Sequence, residues 1–231
     1  MKYYALILAS GTGSRTGLNI PKQFYKINNK TILEYSINAF ESHNSINEII
    51  VVSNPDFIDL TKKIISENHY SKVTKIVSGG LTRQESSAIG INEIDEVDSK
   101  VLIHDAVRPF VSQEIIDRCI NALNNYNAVN VAIESSDTII EIDTNNIIKK
   151  VPERKTLRRC QTPQCFSTEL IRKAHKLAEN DKNNIATDDC GLILRYNLSD
   201  IFVVKGSENN IKITYPSDLK IAENIFNNLK N

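Results

Sequence analysis

Net charge is the first thing this chain lacks. Its 231 residues carry 28 lysines and arginines against 28 aspartates and glutamates, a formal balance of zero. No global field draws it to nucleic acid or to a membrane surface, so any recognition of anions must be local. Long apolar runs are missing too: no stretch approaches the roughly 18–20 residues that span a bilayer. The N-terminus has no basic segment ahead of an apolar one, so no secretory leader is expected. The four cysteines, Cys119, Cys160, Cys165 and Cys190, form no C-x-x-C pair, and the four histidines are scattered. That argues against a zinc site and for reduced thiols in a cytoplasmic protein. Neither an internal repeat nor a low-complexity linker interrupts the sequence. One soluble domain over residues 1–231 is expected, its 41% hydrophobic content being enough for a real core.

What the chain does have is concentrated near its start. The apolar run Tyr3–Ala9 leads into Ser10-Gly11-Thr12-Gly13-Ser14-Arg15-Thr16-Gly17, followed by Pro21-Lys22-Gln23-Phe24. An apolar run that breaks into glycines reads as a buried strand ending in a tight loop. Glycines let successive backbone N–H groups approach a ligand, which suits a phosphate chain. Arg15 and Lys22 flank the loop as fixed cations. They are placed to stabilise charge that develops on an α-phosphate during displacement. The spacing excludes two better-known phosphate loops. Gly17 is followed by Leu18 rather than by the Lys of a Walker loop. Gly11, Gly13 and Gly17 give G-x-G-x-x-x-G rather than the dinucleotide fingerprint, and the second strand ends in Ser53 instead of an acidic residue.

Strands and helices then alternate. Expected strands are Glu48–Ser53, Val73–Val77, Val101–His104 and Ala128–Ile133. The intervening helices include two opened by capping boxes, Thr31 with Glu34 and Thr82 with Glu85. A further helix is expected from Asn54-Pro55, with proline in its first position. The fold class is α/β, a doubly wound, mostly parallel, Rossmann-like sheet covered on both faces. After Ile133 the pattern changes. Thr138–Ile142 and Ile147–Val151 flank Asp143-Thr144-Asn145-Asn146 and read as a protruding β-hairpin arm at about 136–160. Exposed isoleucines there need a partner, and a second copy of the arm is the economical one, so a homodimer is expected. Gln161–Phe166 reads as a structural connection to a helix over Thr168–Glu179. A helix at Asp188–Tyr196, a strand at Ile201–Val204 and a last helix from Ser217 complete the chain.

Three further constellations point to chemistry. His104-Asp105-Ala106-Val107-Arg108-Pro109-Phe110 follows a strand. Asp105 is expected to face a nucleotide through its ribose or a bound Mg²⁺, His104 to be packed, and Arg108 to sit in a structural ion pair. Gly79–Ser86 is a second glycine loop, entering a helix, whose backbone could read a base edge with the Ser86 hydroxyl as an extra donor or acceptor. Arg154, Thr187 and Lys212 together could hold the phosphate of an acceptor substrate, Arg154 reaching across from a partner's arm.

These segments resemble, in order, those of the cytidylyltransferases of sugar-alcohol phosphates: LASGTGSR, PKQF, GGLTRQES, HDAVRPF, the arm, QTPQCF, TDD and NIKIT. The resemblance implies a nucleotidyltransferase fold and attack of an acceptor phosphate oxygen on the α-phosphorus of CTP, with Mg²⁺ present and pyrophosphate released. It makes Arg15 and Lys22 the catalytic cations. It assigns Leu8, Ala9, Ser10 and Gly11, with Gly80, Leu81, Thr82, Arg83, Gln84, Glu85 and Ser86, to the nucleotide, and puts Asp105 beside it as the candidate metal ligand. It gives Thr138, Arg154, Thr187 and Lys212 to the acceptor, Thr138 being donated across a dimer. Two positions depart from the pattern: Ser10 stands where Ala or Gly is usual, and Leu81 where an acidic residue is frequent. HDAVRPF and Leu157-Arg158-Arg159 are read as closer to the ribitol branch, which makes CDP-ribitol for cell-surface polysaccharide. Ribitol 5-phosphate is therefore the preferred acceptor, with 2-C-methyl-D-erythritol 4-phosphate of isoprenoid biosynthesis as the alternative. Rival readings are a sugar-1-phosphate nucleotidyltransferase, against which the compact chain and its arm argue, and a non-catalytic nucleotide-binding module, against which Arg15, Lys22, Asp105 and Lys212 argue together.

Overall fold

A computed structural model describes residues 1–13, 20–181 and 186–228. β1 (Lys2–Ala9) runs into the glycine loop, after which come a 3-10 turn at Lys22–Phe24 and a small ribbon of β2 (Lys26–Ile27) and β3 (Lys30–Thr31). Asn28 and Asn29 close that ribbon with φ of 49° and 68°, the paired positive angles of a two-residue hairpin. α1 (Ile32–Glu41) starts on the expected capping box: Glu34 N donates to Thr31 Oγ1 at 3.2 Å, and Thr31 N donates to the Glu34 carboxylate at 2.6 Å. β4 (Glu48–Ser53) is followed by a 3-10 turn at Pro55–Phe57, and only then by α2 (Ile58–Glu67). The helix thus starts later than Pro55 suggests. Asn54 captures Asp56 N with its side chain and Phe57 N with its carbonyl, which winds the first turn tighter. β5 (Val73–Ser78), α3 (Arg83–Asn92) on its Thr82–Glu85 capping box, β6 (Ser99–Asp105), α4 (Gln113–Leu123) and β7 (Ala128–Glu134) follow the expected alternation.

The arm carries β8 (Glu141–Ile142) and β9 (Ile148–Lys150), antiparallel and shorter than the apolar pattern suggests. β10 (Arg158–Ser167), α5 (Thr168–Glu179), α6 (Asp189–Arg195), β11 (Phe202–Lys205) and α7 (Pro216–Asn228) complete the described chain.

Seven strands form the sheet, in the order β11-β7-β10-β6-β1-β4-β5, and all its pairings are parallel except those of β10. Both faces of β1 are buried: Ala5, Ile7 and Ala9 enter one apolar cluster, while Tyr4, Leu6 and Leu8 enter the other. The segment read as a connection, Gln161–Phe166, is the centre of β10, inserted antiparallel between β6 and β7. Two features disguise it. Pro163 has no N–H to give a ladder, and the register shifts between Cys160 and Gln164 to accommodate it. Its buried positions are also polar: Gln161, Thr162 and Gln164 are each under a tenth exposed. A third apolar cluster joins β2, α1 and α7, where the Tyr35 and Phe226 rings lie 3.9 Å apart. That packing, with Ile213 N donating to Val107 O at 2.9 Å, carries the segment around Lys212 to the end of β6.

Candidate active site

From β1 the chain reaches β4 on one side and β6 on the other, so a crevice opens where the strand order diverges, outside the C-terminal strand ends. A cleft of about 720 Å³ occupies it, lined by Leu8–Gly13, Lys22, Asn54–Asp56, Gly79–Arg83, Asp105 and Lys212 among others. Gln23 Nε2 donates to the carbonyls of Ala9 at 2.7 Å and Gly11 at 2.8 Å, tying the first glycine loop to the turn that carries Lys22. At Gly13, φ is +72° and a Cβ would come within 2.9 Å of Lys22 N, so only glycine allows this approach. Lys22 is buried at 7% exposure in the cleft. Arg15, the other expected cation, lies outside the described residues.

Asp105 ends β6 between two cations. Its Oδ2 is 2.7 Å from Lys212 Nζ and its Oδ1 is 3.0 Å from Arg83 Nε. Burial pushes this carboxyl up, but the charges of Arg83 and Lys212 outweigh that and hold it far below the usual range. Arg83 continues the chain of charge, its Nη1 lying 2.7 Å from Oδ2 of the buried Asp189. Ser87 Oγ donates to Asp189 Oδ1 at 2.7 Å, and His175 Nε2 is 2.9 Å from the same oxygen. Asp189 is raised by burial and lowered by Arg83, His175 and Ser87, which together bring its pKa to about 2. Behind Asp105, Thr162 Oγ1 accepts from Asp105 N at 3.2 Å and lies 3.0 Å from His104 Nδ1. His104 is packed, as expected, with burial lowering its pKa to about 4. Arg108 is structural, though through carbonyls rather than an ion pair: it donates to Asn210 O at 2.8 Å and Cys160 O at 3.4 Å. The sequence offered Asp189 only as the last residue of the TDD segment, with no role read for it, and singled out neither Ser87 nor His175. The adjacent carboxylates of TDD were the signal available.

The second glycine loop lies against the first. A Cβ on Gly79 would meet Ser10 Cβ at 2.4 Å, and one on Gly80 would meet Glu85 Cβ at 2.5 Å. Leu81 is 99% exposed at the mouth of the cleft, and its N–H donates to Glu85 Oε2 at 2.7 Å. The expectation that Ser86 offers a spare hydroxyl to a base needs correction. Ser86 Oγ donates to Thr82 O at 2.9 Å and accepts from Gly80 N at 3.1 Å and Ser10 Oγ at 2.7 Å, which fills its capacity.

The expected acceptor residues are not all brought together within one chain. Lys212 lines the cleft. Thr187 and Gln84 line an adjoining pocket of about 350 Å³, which shares Thr82, Arg83 and Glu85 with the cleft. Thr138 and Arg154 stay on the exposed arm, where Arg154 Nη2 donates to Thr138 Oγ1 at 2.9 Å.

No group of three or more His, Cys, Asp or Glu side chains able to cage a metal exists among the described residues. Mg²⁺ needs no such cage when it rides on substrate phosphates with one or two carboxylates and water. Asp105 fits that role, because each of its oxygens accepts one cationic donor and keeps a second lone pair.

The IspD family model, 2-C-methyl-D-erythritol 4-phosphate cytidylyltransferase, matches residues 3–228. The chain belongs to this family. A 2-C-methyl-D-erythritol 4-phosphate cytidylyltransferase from Thermobifida fusca is 42% identical over 226 residues, covering 95% of this chain and 91% of that protein. Equally identical, over 97% of this chain, is the bifunctional ribulose 5-phosphate reductase/CDP-ribitol pyrophosphorylase Bcs1 of Haemophilus influenzae, of which the match spans 48%. The crystal structure of 4-diphosphocytidyl-2C-methyl-D-erythritol synthase from Anaerococcus prevotii superposes with a TM-score of 0.88 at 31% identity, covering 98% of both chains. This IspD-family protein is therefore a CTP-dependent cytidylyltransferase on an α/β nucleotidyltransferase fold with a hairpin arm.

Proposed function

We propose that the protein transfers CMP from CTP to the phosphate of a sugar alcohol, with 2-C-methyl-D-erythritol 4-phosphate as the acceptor. The observation that carries the chemistry is the convergence of Lys22, Asp105 and Lys212 in one cleft at the C-terminal edge of the sheet. In this reading an acceptor phosphate oxygen attacks the α-phosphorus of CTP, forming the new P–O bond as the bond to pyrophosphate breaks. Lys22, with Arg15 from the adjoining loop, meets the charge that grows on the α-phosphate. Mg²⁺, held by Asp105 and the triphosphate, would neutralise the leaving pyrophosphate. Lys212 stands beside the acceptor phosphate, its ammonium oriented by Asp105, and Thr187 borders the adjoining pocket.

The choice of acceptor reverses the preference drawn from the sequence. Both the family model and most of the similar proteins carry the methylerythritol name. Ribitol 5-phosphate remains the second reading, favoured by the 42% identity to the CDP-ribitol pyrophosphorylase-containing protein. Pyrophosphate release from CTP and Mg²⁺, measured with each acceptor in turn, separates the two. Turnover with ribitol 5-phosphate alone overturns the first reading, and turnover with neither overturns both.

The arm supports a homodimer. Ile139, Ile140, Ile142, Ile147, Ile148 and Val151 are between 44% and 57% exposed on it, an apolar surface that a second arm would cover. In such a dimer the partner's arm brings its Thr138 and Arg154 to the acceptor. Nothing in the charge balance calls for nucleic acid, and no helix among the described residues is long and apolar enough to cross a membrane.

A further inference from the structure

Ser10 is where this chain departs from the small residue usual in its family, and the structure gives its hydroxyl a fixed polarity. The Ser86 hydroxyl has one proton, and Thr82 O takes it at 2.9 Å. At the 2.7 Å contact between the two serines, Ser10 must therefore be the donor. Ser10 Oγ accepts no hydrogen bond from any described residue, so its lone pairs are left for whatever enters the cleft that it lines. The position is held from two further sides: Gly79 packs against Ser10 with no room for a Cβ, and Asn54 Nδ2 donates to Ser10 O at 3.2 Å. A hydroxyl whose proton is committed to a buried partner acts as an acceptor only.

Charge is distributed unevenly around this hydroxyl. Among the described residues, Lys22, Lys212 and Arg83 supply the cations of the cleft, whereas those in contact with Ser10 across the chain, Gly79, Ser86 and Asn54, are uncharged. Phosphates belong with the cations. The bare glycine backbone beside Ser10 offers a planar ring a surface free of side chains.

We propose that Ser10 is a specificity-determining residue for the nucleobase, its Oγ accepting a hydrogen bond from the exocyclic amino group of cytosine. Uracil carries a carbonyl oxygen at that position, and two acceptors would then face each other with no proton between them. The relay Ser10 to Ser86 to Thr82 O prevents the hydroxyl from turning over to donate instead. This inference rests on the cytidylyltransferase reading and adds to it a physical basis by which this chain would favour CTP over UTP.

The test compares kcat/KM for CTP and UTP in the wild type, Ser10→Ala and Ser10→Gly, the last two restoring the side chains usual in the family. The ratio for CTP over UTP should fall about tenfold in both variants, through a loss for CTP that UTP does not share. Calorimetric titration with CTP and with the triphosphate of 2-pyrimidinone riboside, which lacks the amino group, gives a second readout. The wild type should prefer CTP, and Ser10→Ala should lose about the same factor of preference. A ratio unchanged within twofold, or an equal loss for both triphosphates, makes Ser10 a structural latch and overturns the proposal. A wild type that releases no pyrophosphate from CTP with either acceptor defeats the parent reading first, and the two failures are told apart by that control.

Discussion

Lys212 Nζ lies 2.7 Å from Asp105 Oδ2, joining a residue in the loop before the last helix to the end of the fourth strand of the alternating pattern. The contact does more than balance two charges. It holds the lysine over the cleft, and it leaves Asp105 one oxygen for Arg83, which in turn reaches Asp189. The cationic side of the site is thus a connected network, and its members should respond to substitution together.

A double-mutant cycle on Asp105→Asn and Lys212→Met should therefore give a coupling energy of about 0.5–3 kcal/mol in urea unfolding. Asp105→Asn alone should cost roughly 1–3 kcal/mol, because two cations lose their shared acceptor. Additive effects would show that the contact contributes nothing.

Lys22→Ala should lower kcat by about 10²–10³ while CTP affinity changes far less, since the ammonium acts mainly as charge develops at the α-phosphorus. Arg15→Ala should show a similar loss with a larger rise in KM for CTP, because a guanidinium holds two phosphate oxygens at once. Steady-state kinetics with circular dichroism as the folding control decides both. Turnover within a few-fold of wild type would remove either residue from the chemistry.

Stability should fall on mild acidification because of His104. Its folded pKa, about 4, lies below the ordinary value of 6.5, so the unfolded chain binds the proton more readily. The contribution is complete above pH 6.5 and is lost as the pH drops through 4, by on the order of 3 kcal/mol. Thermal melts of wild type and His104→Gln between pH 7 and 4 check this: the variant should lose less than the wild type over that interval. Asp189 adds a second decline at lower pH, from the ordinary 3.8 down toward its folded value of about 2.

Sharing of the acceptor site between subunits predicts a mixing result. Arg154→Ala should raise KM for the acceptor with little change for CTP. Mixed with Lys22→Ala, it should recover part of the wild-type rate, because one composite site per heterodimer is intact. No recovery after confirmed subunit exchange would place Arg154 outside the partner's site. Sedimentation should show a dimer, and a fully active monomer would exclude the arm as an interface.

Sequence alone determined the alternating strands, both capping boxes, the glycine loop after β1 and the arm, because each rests on local rules: apolar periodicity, helix-end hydrogen bonding and turn residues. It also singled out Lys22, a cation beside a glycine-rich loop, and Asp105, a carboxylate at a strand end. Lys212, weak on its own, stood out only through the resemblance of its segment to the family pattern. Only the tertiary structure revealed β10. Pro163 and the buried polar run of Gln161, Thr162 and Gln164 erase the strand pattern, and the partners that justify burying them, such as Ser207 O for Gln161 and Asp188 for Gln164, are distant in sequence. The same holds for the link from Lys212 through Asp105 and Arg83 to Asp189, and for the polarity of Ser10. Each depends on which atoms meet across the sheet edge, and burial far from water gives those meetings their strength.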